Sequence, residues 1–367
     1  MSPIRVLFDH EIFSRQRFGG ISRYFTQLIP RLSQMDELEV SAFLGVHSNA
    51  YGLGRSSGQF RSFAGVRTPP SAAARQAARL NRFALRPFAA RVRPDVYHLT
   101  TYRDFLPGRR VKRVITLHDL IWNRFPDLVQ PGPSITPHKE LILAADAVIC
   151  ISESTRRDAE EFFGLPRERT TIVHHANSLE LPASSRPPAP IDFPYLLFVG
   201  HRAGYKNFAL LLRSVQASAR LRAAFRIVCF GPSISDSERA EIAALGLADR
   251  VLHVPGEDQV LADLYAHAAA FVYPSLYEGF GIPLLEAMHY GCPVLAARAS
   301  CFPEIAADAA AYFDPASPDD LAQKLEQVVF NPSEKARLVA AGREREARFS
   351  WEEAARRTTG VYKHLVR

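Results

Sequence analysis

Short apolar runs alternate with amphipathic stretches along this chain, and the alternation predicts its fold class before any motif is considered. Ile4–Phe8 is an apolar run ending at Asp9, and in Gly20–Leu32 the residues Ile21, Phe25, Leu28 and Leu32 recur at helical spacing. Leu38–Leu44 returns to a strand pattern, whereas residues 45–70, rich in Gly, Ser and Pro, read as irregular. Ala72–Val92 is rich in Ala, Leu and Arg and reads as a basic helix that Pro87 interrupts or kinks. Val96–Leu99, Val114–Leu117 and Val148–Ile151 are further buried-type strands, the last feeding a helix near Thr155–Phe163. Such alternation implies βαβ units and hence a parallel sheet covered on both faces.

Residues 182–194 contain five prolines and no periodicity, which marks a stiff linker. Beyond it the pattern restarts, with strands at Tyr195–Val199, Arg226–Phe230, Val251–Val254, Phe271–Tyr273 and Pro293–Ala296. Helices are expected between them at Phe208–Ala219, Ser237–Leu245, Gln259–His267 and Pro283–Tyr290. The class is therefore α/β, with two doubly wound Rossmann-like domains over residues 1–185 and 193–348. A last helix in 349–367, around Trp351–Leu365, is free to cross back onto the first domain. Doubly wound sheets bind ligands at the carboxyl ends of their strands, so a site is expected in the cleft where those ends face each other.

Composition narrows the function classes. The four cysteines are scattered and form no Cys-x-x-Cys pair, as expected of reduced, buried thiols. The N-terminus enters a strand directly without a signal-peptide pattern, and no apolar stretch reaches the roughly 18 residues of a membrane-spanning helix. A cytoplasmic protein is expected, peripheral on the inner membrane face. The net charge of +7 is uneven: residues 1–185 hold 25 Lys/Arg against 17 Asp/Glu, residues 186–367 hold 20 against 21. Within 55–113 there are 14 basic residues and 2 acidic ones, a field that suits an anionic partner or a solvated basic face.

Three turns carry candidate chemistry. Pro274–Met288 ends a strand, passes Gly279 and Gly281, and starts a helix at Pro283, where the missing N–H of proline costs little. Unpaired first-turn amides there would bind an anion, and Glu278 and Glu286 could each accept two hydroxyl hydrogen bonds from a sugar or ribose. The same glutamates could instead complement the helix dipole and solvent. In Phe198–Asn207 two cations, Arg202 and Lys206, precede a helix, a placement that is locally unfavourable unless they face a negative ligand. In Phe18–Arg23, Gly19 and Gly20 could offer amides to the same phosphate, or serve only as turn glycines.

Glu278 and Glu286 form a Glu-x7-Glu motif in the frame Glu-Gly-Phe-Gly-Ile-Pro-Leu-Leu-Glu-Ala, which resembles glycosyltransferase family 4. Gly200–Asn207, Asp146–Ser154 and His118-Asp119 resemble further elements of that family. The resemblance implies the GT-B fold, a sugar nucleotide as donor substrate, and retention of anomeric configuration without a metal or other cofactor. It assigns Glu278 to donor-sugar hydroxyls and Glu286 to the ribose. Arg202 and Lys206 become the diphosphate clamp, with Gly279, Phe280, Gly281 and Ile282 beside the nucleotide. Gly19 and Gly20 become the phosphate loop of the first domain, and His118 lies beside the reacting centre; alternatively His118 is a core histidine at a strand end. The opening Phe8–Phe13 with Phe18–Phe25 resembles bacterial mannosyltransferases of lipopolysaccharide and exopolysaccharide assembly, so GDP-mannose is the expected donor and UDP-sugars the alternative. Residues 298–304 depart from the family, reading Arg-Ala-Ser-Cys-Phe-Pro-Glu where many members have Gly-Gly before Pro-Glu, which leaves the role of Glu304 open.

The acceptor is expected to be a saccharide, lipid-linked. Arg75, Arg79, Arg82 and Arg86 share one helical face with Leu80, Phe83 and Phe88 nearby, as on an interfacial helix at an anionic membrane; alternatively the helix packs through its alanines. Nucleic acid is not expected, because no aromatic-basic recognition module is present. Rival readings are an epimerase, which would need no acceptor, a phosphorylase, which would need pyridoxal phosphate, and a non-catalytic sugar-nucleotide-binding protein.

Overall fold

Over most of the chain the apolar runs become strands and the amphipathic stretches become helices. The structure is a computed structural model and describes residues 2–53, 58, 60–69, 71–108, 110–128, 138–179, 181–184, 191–202 and 204–366. It divides into two compact units, Met1–Arg124 with Gln130–His175 and Ser350–Arg367, and Phe125–Val129 with Ala176–Phe349. The proline-rich stretch 185–190 lies outside the described residues, as do 129–137.

In the first unit β1 (Ile4–Phe8) is followed by α1 (Glu11–Arg15), α2 (Gly20–Leu32), β2 (Leu38–His47), β3 (Ser62–Arg67) and α3 (Ala72–Val92). Next come β4 (Val96–Leu99), β5 (Lys112–Leu117), α4 (Ile121–Arg124), α5 (Lys139–Ala144), β6 (Ala147–Cys150), α6 (Glu153–Phe163) and β7 (Thr170–Ile172). The sheet order is β3-β2-β1-β4-β5-β6-β7, with every pairing parallel. Its switch point lies between β1 and β4. Local signals set the helix ends: the Ser152 side chain accepts from Thr155 N at 3.0 Å to cap α6, and Gly164 closes it at φ 65°.

The expectation of an irregular stretch at 45–70 is corrected in two places. β2 runs on to His47, and Ser62–Arg67 pairs with it as the edge strand β3. The register slips between Phe43 and Gly45, where Gly45 takes φ 55°. Asn81, a polar residue in the buried stripe of α3, fills that irregularity: its Oδ1 accepts from Val46 N at 2.9 Å and its Nδ2 donates to Val46 O at 3.0 Å. A side chain at Gly45 would collide with Asn81, its Cβ only 2.2 Å from Oδ1. α3 itself continues through Pro87.

In the second unit β8 (Tyr195–Val199), α7 (Phe208–Ala217), α8 (Ala219–Ala224), β9 (Arg226–Phe230), α9 (Asp236–Ala244), β10 (Val251–Val254) and α10 (Asp258–His267) follow one another. β11 (Ala270–Tyr273), α11 (Ile282–His289), β12 (Val294–Ala297), α12 (Phe302–Ala306), β13 (Ala310–Phe313), α13 (Pro318–Val329) and α14 (Pro332–Glu346) complete it. The order β10-β9-β8-β11-β12-β13 is again all parallel, with its switch point between β8 and β11. The doubly wound α/β class thus holds for both units.

The last helix, α15 (Trp351–Val366), belongs to the first unit and packs on α2, β1 and β6. Tyr362 is fully buried there, 2.6 Å from His98 Nδ1, while His98 Nε2 lies 2.9 Å from Thr116 Oγ1. Trp351 packs near Tyr24 and His175. Burying two such rings contributes about 1.5–3 kcal/mol each, which fixes the end of the chain to the first sheet.

Candidate functional site

The second unit's switch point sends out two loops, one from the carboxyl end of β8 and one from the carboxyl end of β11. They are joined at the backbone, where Leu276 N donates to Tyr205 O at 2.8 Å. They are joined again through side chains, where Lys206 Nζ donates to Glu278 Oε1 at 2.6 Å. Both side chains are largely buried. Burial alone would lower the Lys206 pKa, but the Glu278 carboxylate and the Tyr205 hydroxyl more than offset it, so the ammonium is held above its ordinary value. Its charge also lies near the rings of Tyr205 and Tyr273, at 5.0 and 5.9 Å.

Glu278 is positioned by a stretch that sequence reasoning left open. Ser300 Oγ donates to Glu278 O at 2.6 Å and lies 3.3 Å from Glu278 N, and Cys301 Sγ is 3.2 Å from the same carbonyl. Ser300 takes φ 51°, a left-handed conformation that glycine adopts freely, so the chain holds a strained serine here and uses its hydroxyl as a latch. Glu304 lies in the first turn of α12, its carbonyl held by Arg345 Nη2.

Gly281 is the N-cap of α11 at φ 88°, and a Cβ there would lie 3.2 Å from both Leu284 and Phe302. No side chain caps this helix start, and Pro283 occupies its first turn. The turn therefore presents Gly279–Ile282 backbone beside the Lys206–Glu278 pair. Glu286 sits buried one turn into the helix, accepting from Tyr265 OH at 3.1 Å.

Arg202 is placed differently from Lys206. Its Nε donates to Glu238 Oε1 at 2.9 Å, and its Nη2 donates to Pro232 O and Ser233 O at 2.7 and 2.8 Å. Glu238 is also the N3 residue of the α9 capping box with Ser235. Nη1 of Arg202 is buried with no hydrogen-bond partner among the described residues. The guanidinium thus ties the 200–206 loop to the head of α9, leaving one nitrogen unpaired.

The remaining expected residues lie in the first unit. Gly19 N donates to Tyr51 OH at 3.2 Å, Ser22 N donates to Gln16 Oε1 at 3.0 Å, and a Cβ on Gly20 would meet nothing within 4 Å. His118 follows β5, its backbone N–H donating to Tyr102 OH at 3.1 Å. Its ring packs edge-on against Tyr24, burial lowers its pKa to about 3, and Nε2 has no hydrogen-bond partner among the described residues. It is a neutral imidazole at pH 7.

On α3 the buried stripe is Asn81, Leu85, Ala89 and Val92. Arg79, Arg82 and Arg86 are exposed, with Leu80 and Phe83 exposed by 63% and 56% among them. Phe88 is partly buried against Phe43, so it is not among the exposed apolar residues of this face. The Arg75 side chain lies outside the described residues.

Comparison with known proteins bears on both units. Residues 18–181 match the family model described as Glycosyltransferase Family 4, and residues 184–345 match Glycosyl transferases group 1. The chain is 28% identical over 374 residues to the O-antigen chain mannosyltransferase B of Escherichia coli, covering 94% of this chain and 96% of that protein. It is 29% identical over 262 residues to a D-inositol 3-phosphate glycosyltransferase of Streptomyces bingchenggensis, covering 66% of this chain and 58% of that one. Among solved structures, sucrose-phosphate synthase from Thermosynechococcus elongatus superposes with a TM-score of 0.74 at 18% identity, over 99% of both chains. That likeness gives the two Rossmann-like domains the name GT-B.

Proposed function

The chain belongs to glycosyltransferase family 4, and from that premise we propose that it is a retaining hexosyltransferase carrying mannose from GDP-mannose to a lipid-linked saccharide during synthesis of a bacterial surface polysaccharide. The observation that carries the site assignment is the buried Lys206–Glu278 pair beside an uncapped glycine helix start. An incoming diphosphate takes over Lys206, accepts from the amides of the Gly279–Ile282 turn, and meets the unpaired Nη1 of Arg202. Release from Lys206 leaves the Glu278 carboxylate to accept hydroxyls of the sugar, while Glu286 accepts those of the ribose. In the first unit, Gly19 and Gly20 supply phosphate-facing amides and His118 is the neutral imidazole beside the reacting centre.

In the proposed reaction the acceptor oxygen bonds to the anomeric carbon on the face from which the diphosphate departs. The bond from that carbon to the phosphate oxygen breaks, and the acceptor proton passes to the departing phosphate. Lys206 and Arg202 offset the charge that develops there, so the reaction is proposed to need no metal. Transfer from GDP-mannose in EDTA tests this, with Lys206→Ala expected to lower turnover by about 10²–10³-fold. Unchanged turnover in that variant, or activity only with a divalent ion, overturns the proposed clamp. The chain is also similar to a D-inositol 3-phosphate glycosyltransferase, a name that does not specify mannose, so a second reading keeps the same site with a UDP-sugar as donor. A thermal-shift series separates the two, since the true donor raises the melting temperature most.

No helix of the described residues is long and apolar enough to cross a membrane. The exposed Leu80 and Phe83 among Arg79, Arg82 and Arg86 support peripheral binding of α3 to an anionic lipid surface on the cytoplasmic side, where a lipid-linked acceptor would be met. Co-sedimentation with anionic vesicles is expected to fall with added salt; salt-insensitive or absent sedimentation overturns it.

A further inference from the structure

The second unit contains a cavity of about 620 Å³ on the open edge of its sheet, lined by β13, α13, the start of α8 and the turn after β12. Arg220, Arg298 and Lys324 all line it, and none has a carboxylate partner among the described residues. Two of them are held by aromatic faces. The Arg220 guanidinium lies 3.7 Å from the Phe330 ring centre, and that of Arg298 lies 4.9 Å from the Tyr312 ring centre. Stacking fixes a guanidinium plane and leaves its N–H edge directed outward, the geometry that suits a tetrahedral anion.

The two carboxylates in the lining are committed to other partners. Glu326 accepts from Ser218 Oγ at 2.6 Å, and Glu334 is bidentate with Arg337. The second half of the chain is nearly neutral overall, with 20 basic against 21 acidic residues over 186–367, so three cations in one lining against the single carboxylate of Glu326 that has no cationic partner are a local positive excess. Like charges brought together without a counter-ion repel, and a bound anion removes that cost. The cavity of about 650 Å³ in the first unit offers no such excess: its Arg113 donates to Asp104 and to the carbonyls of Val111 and Leu106, and its Arg169 to those of Leu143 and Ala145.

We propose that the cavity bounded by Arg220, Arg298 and Lys324 is a second anion site, separate from the Lys206–Glu278 site, that takes a phosphoryl group, free or carried on a hexose. Its volume falls in the roughly 300–1,000 Å³ range of small-molecule sites, with room for a sugar beside the phosphate.

The test uses the full chain carrying Lys206→Ala, which removes the cation of the proposed donor site and keeps failure of one assignment apart from failure of the other. Binding of orthophosphate, mannose 6-phosphate and neutral mannose is measured by calorimetry at low salt. A saturable, salt-sensitive site for orthophosphate or mannose 6-phosphate, with none for mannose, is expected. Tighter binding of mannose 6-phosphate identifies a carried phosphate, and equal binding identifies the free ion. Adding Lys324→Gln and Arg298→Gln is expected to weaken binding about tenfold in all, while either change in the otherwise native chain leaves donor turnover unaltered. Lys324 is a partly exposed helix residue, so Lys324→Gln alone carries the test should Arg298→Gln disturb folding. No binding in the Lys206→Ala chain, or binding unaffected by these neutralisations, overturns the proposal.

Discussion

Acidification to pH 5 is expected to unfold the first unit, because five of its histidines are buried without charge. Burial pushes the pKa values of His98 and His118 down to about 3 and those of His10 and His47 down to about 4, and drives His175 well below its ordinary value. In the unfolded chain each returns to about 6.5. The folded state therefore refuses protons that the unfolded state accepts. The stability these groups allow is complete above pH 6.5 and is lost as the pH falls from there towards 4 and 3. At pH 5 each group has lost about 2 kcal/mol, so the four with defined values together lose about 8 kcal/mol. Domains are stable by roughly 5–15 kcal/mol in all. Asp9 acts in the opposite sense: burial raises its carboxyl pKa, so its protonation favours the folded state as pH falls, but one carboxyl offsets only part of four imidazoles.

The assay is built into the chain, since both tryptophans, Trp122 and Trp351, lie in the first unit. Thermal melts followed by tryptophan fluorescence at pH 7.5, 6.5, 5.5 and 5.0 report that unit alone. Little change is expected above pH 6.5 and a steep fall in melting temperature below it. His47→Gln removes one of the titrating groups and makes the fall shallower, by about 1.4 kcal/mol per pH unit. A tryptophan-detected melting temperature that stays level from pH 7.5 to 5 refutes the reasoning.

Three substitutions probe the architecture and the site. Gly45→Ala puts a Cβ 2.2 Å from Asn81 Oδ1 at a φ of 55°, and a loss of about 2–3 kcal/mol is expected in chemical denaturation followed by tryptophan fluorescence; a neutral effect removes the plugged-irregularity account. Gly281→Ala is strained by its φ of 88° and crowds Leu284 and Phe302, so it is expected to cost about 1–3 kcal/mol and to shrink the thermal shift given by a sugar nucleotide. An unchanged shift separates that turn from donor binding. Glu278→Gln leaves the Lys206 ammonium without its carboxylate, which is expected to lower stability by up to about 3–5 kcal/mol. A saturating donor diphosphate then closes part of the gap to the native chain, and an equal gap with and without donor sinks the proposed exchange.

Strand and helix positions were legible wherever burial imposed a period. Tyr195–Val199 and the Ile227–Phe230 part of Arg226–Phe230 coincide with interior strands whose apolar runs are covered on both faces of the parallel sheet, and Val251–Val254, a half-buried edge strand carrying His253, coincides with β10 through its three apolar positions. β3 was illegible for the converse reason: it is an edge strand, partly exposed along its length, and Ser62-Phe-Ala-Gly-Val-Arg carries no hydrophobic run. The placement of Phe125–Val129 with the second unit had no local signal either, since it depends on contacts remote in sequence. The Glu-x7-Glu frame was legible, because a glycine turn and a helix start are local events. Its supports were not, because Ser300 lies 22 residues from Glu278 and Glu238 lies 36 from Arg202.

Those remote partners change how the two cations are understood. A cation at a helix start is locally unfavourable unless it faces a negative group, and each of the two has an internal one: Glu278 for Lys206 and Glu238 for Arg202. The two substitutes are not equivalent. Lys206 has one close carboxylate, which under the proposed exchange would be left to donor hydroxyls once a diphosphate takes its place. Glu238 is held additionally by the Ser235 backbone and hydroxyl, and Arg202 by two carbonyls, so exchanging that pair would break a helix cap as well as an ion pair. In the proposed clamp Lys206 is therefore the cation that exchanges partners, and Arg202 would meet a phosphate only through Nη1 while bracing the loop that carries Lys206.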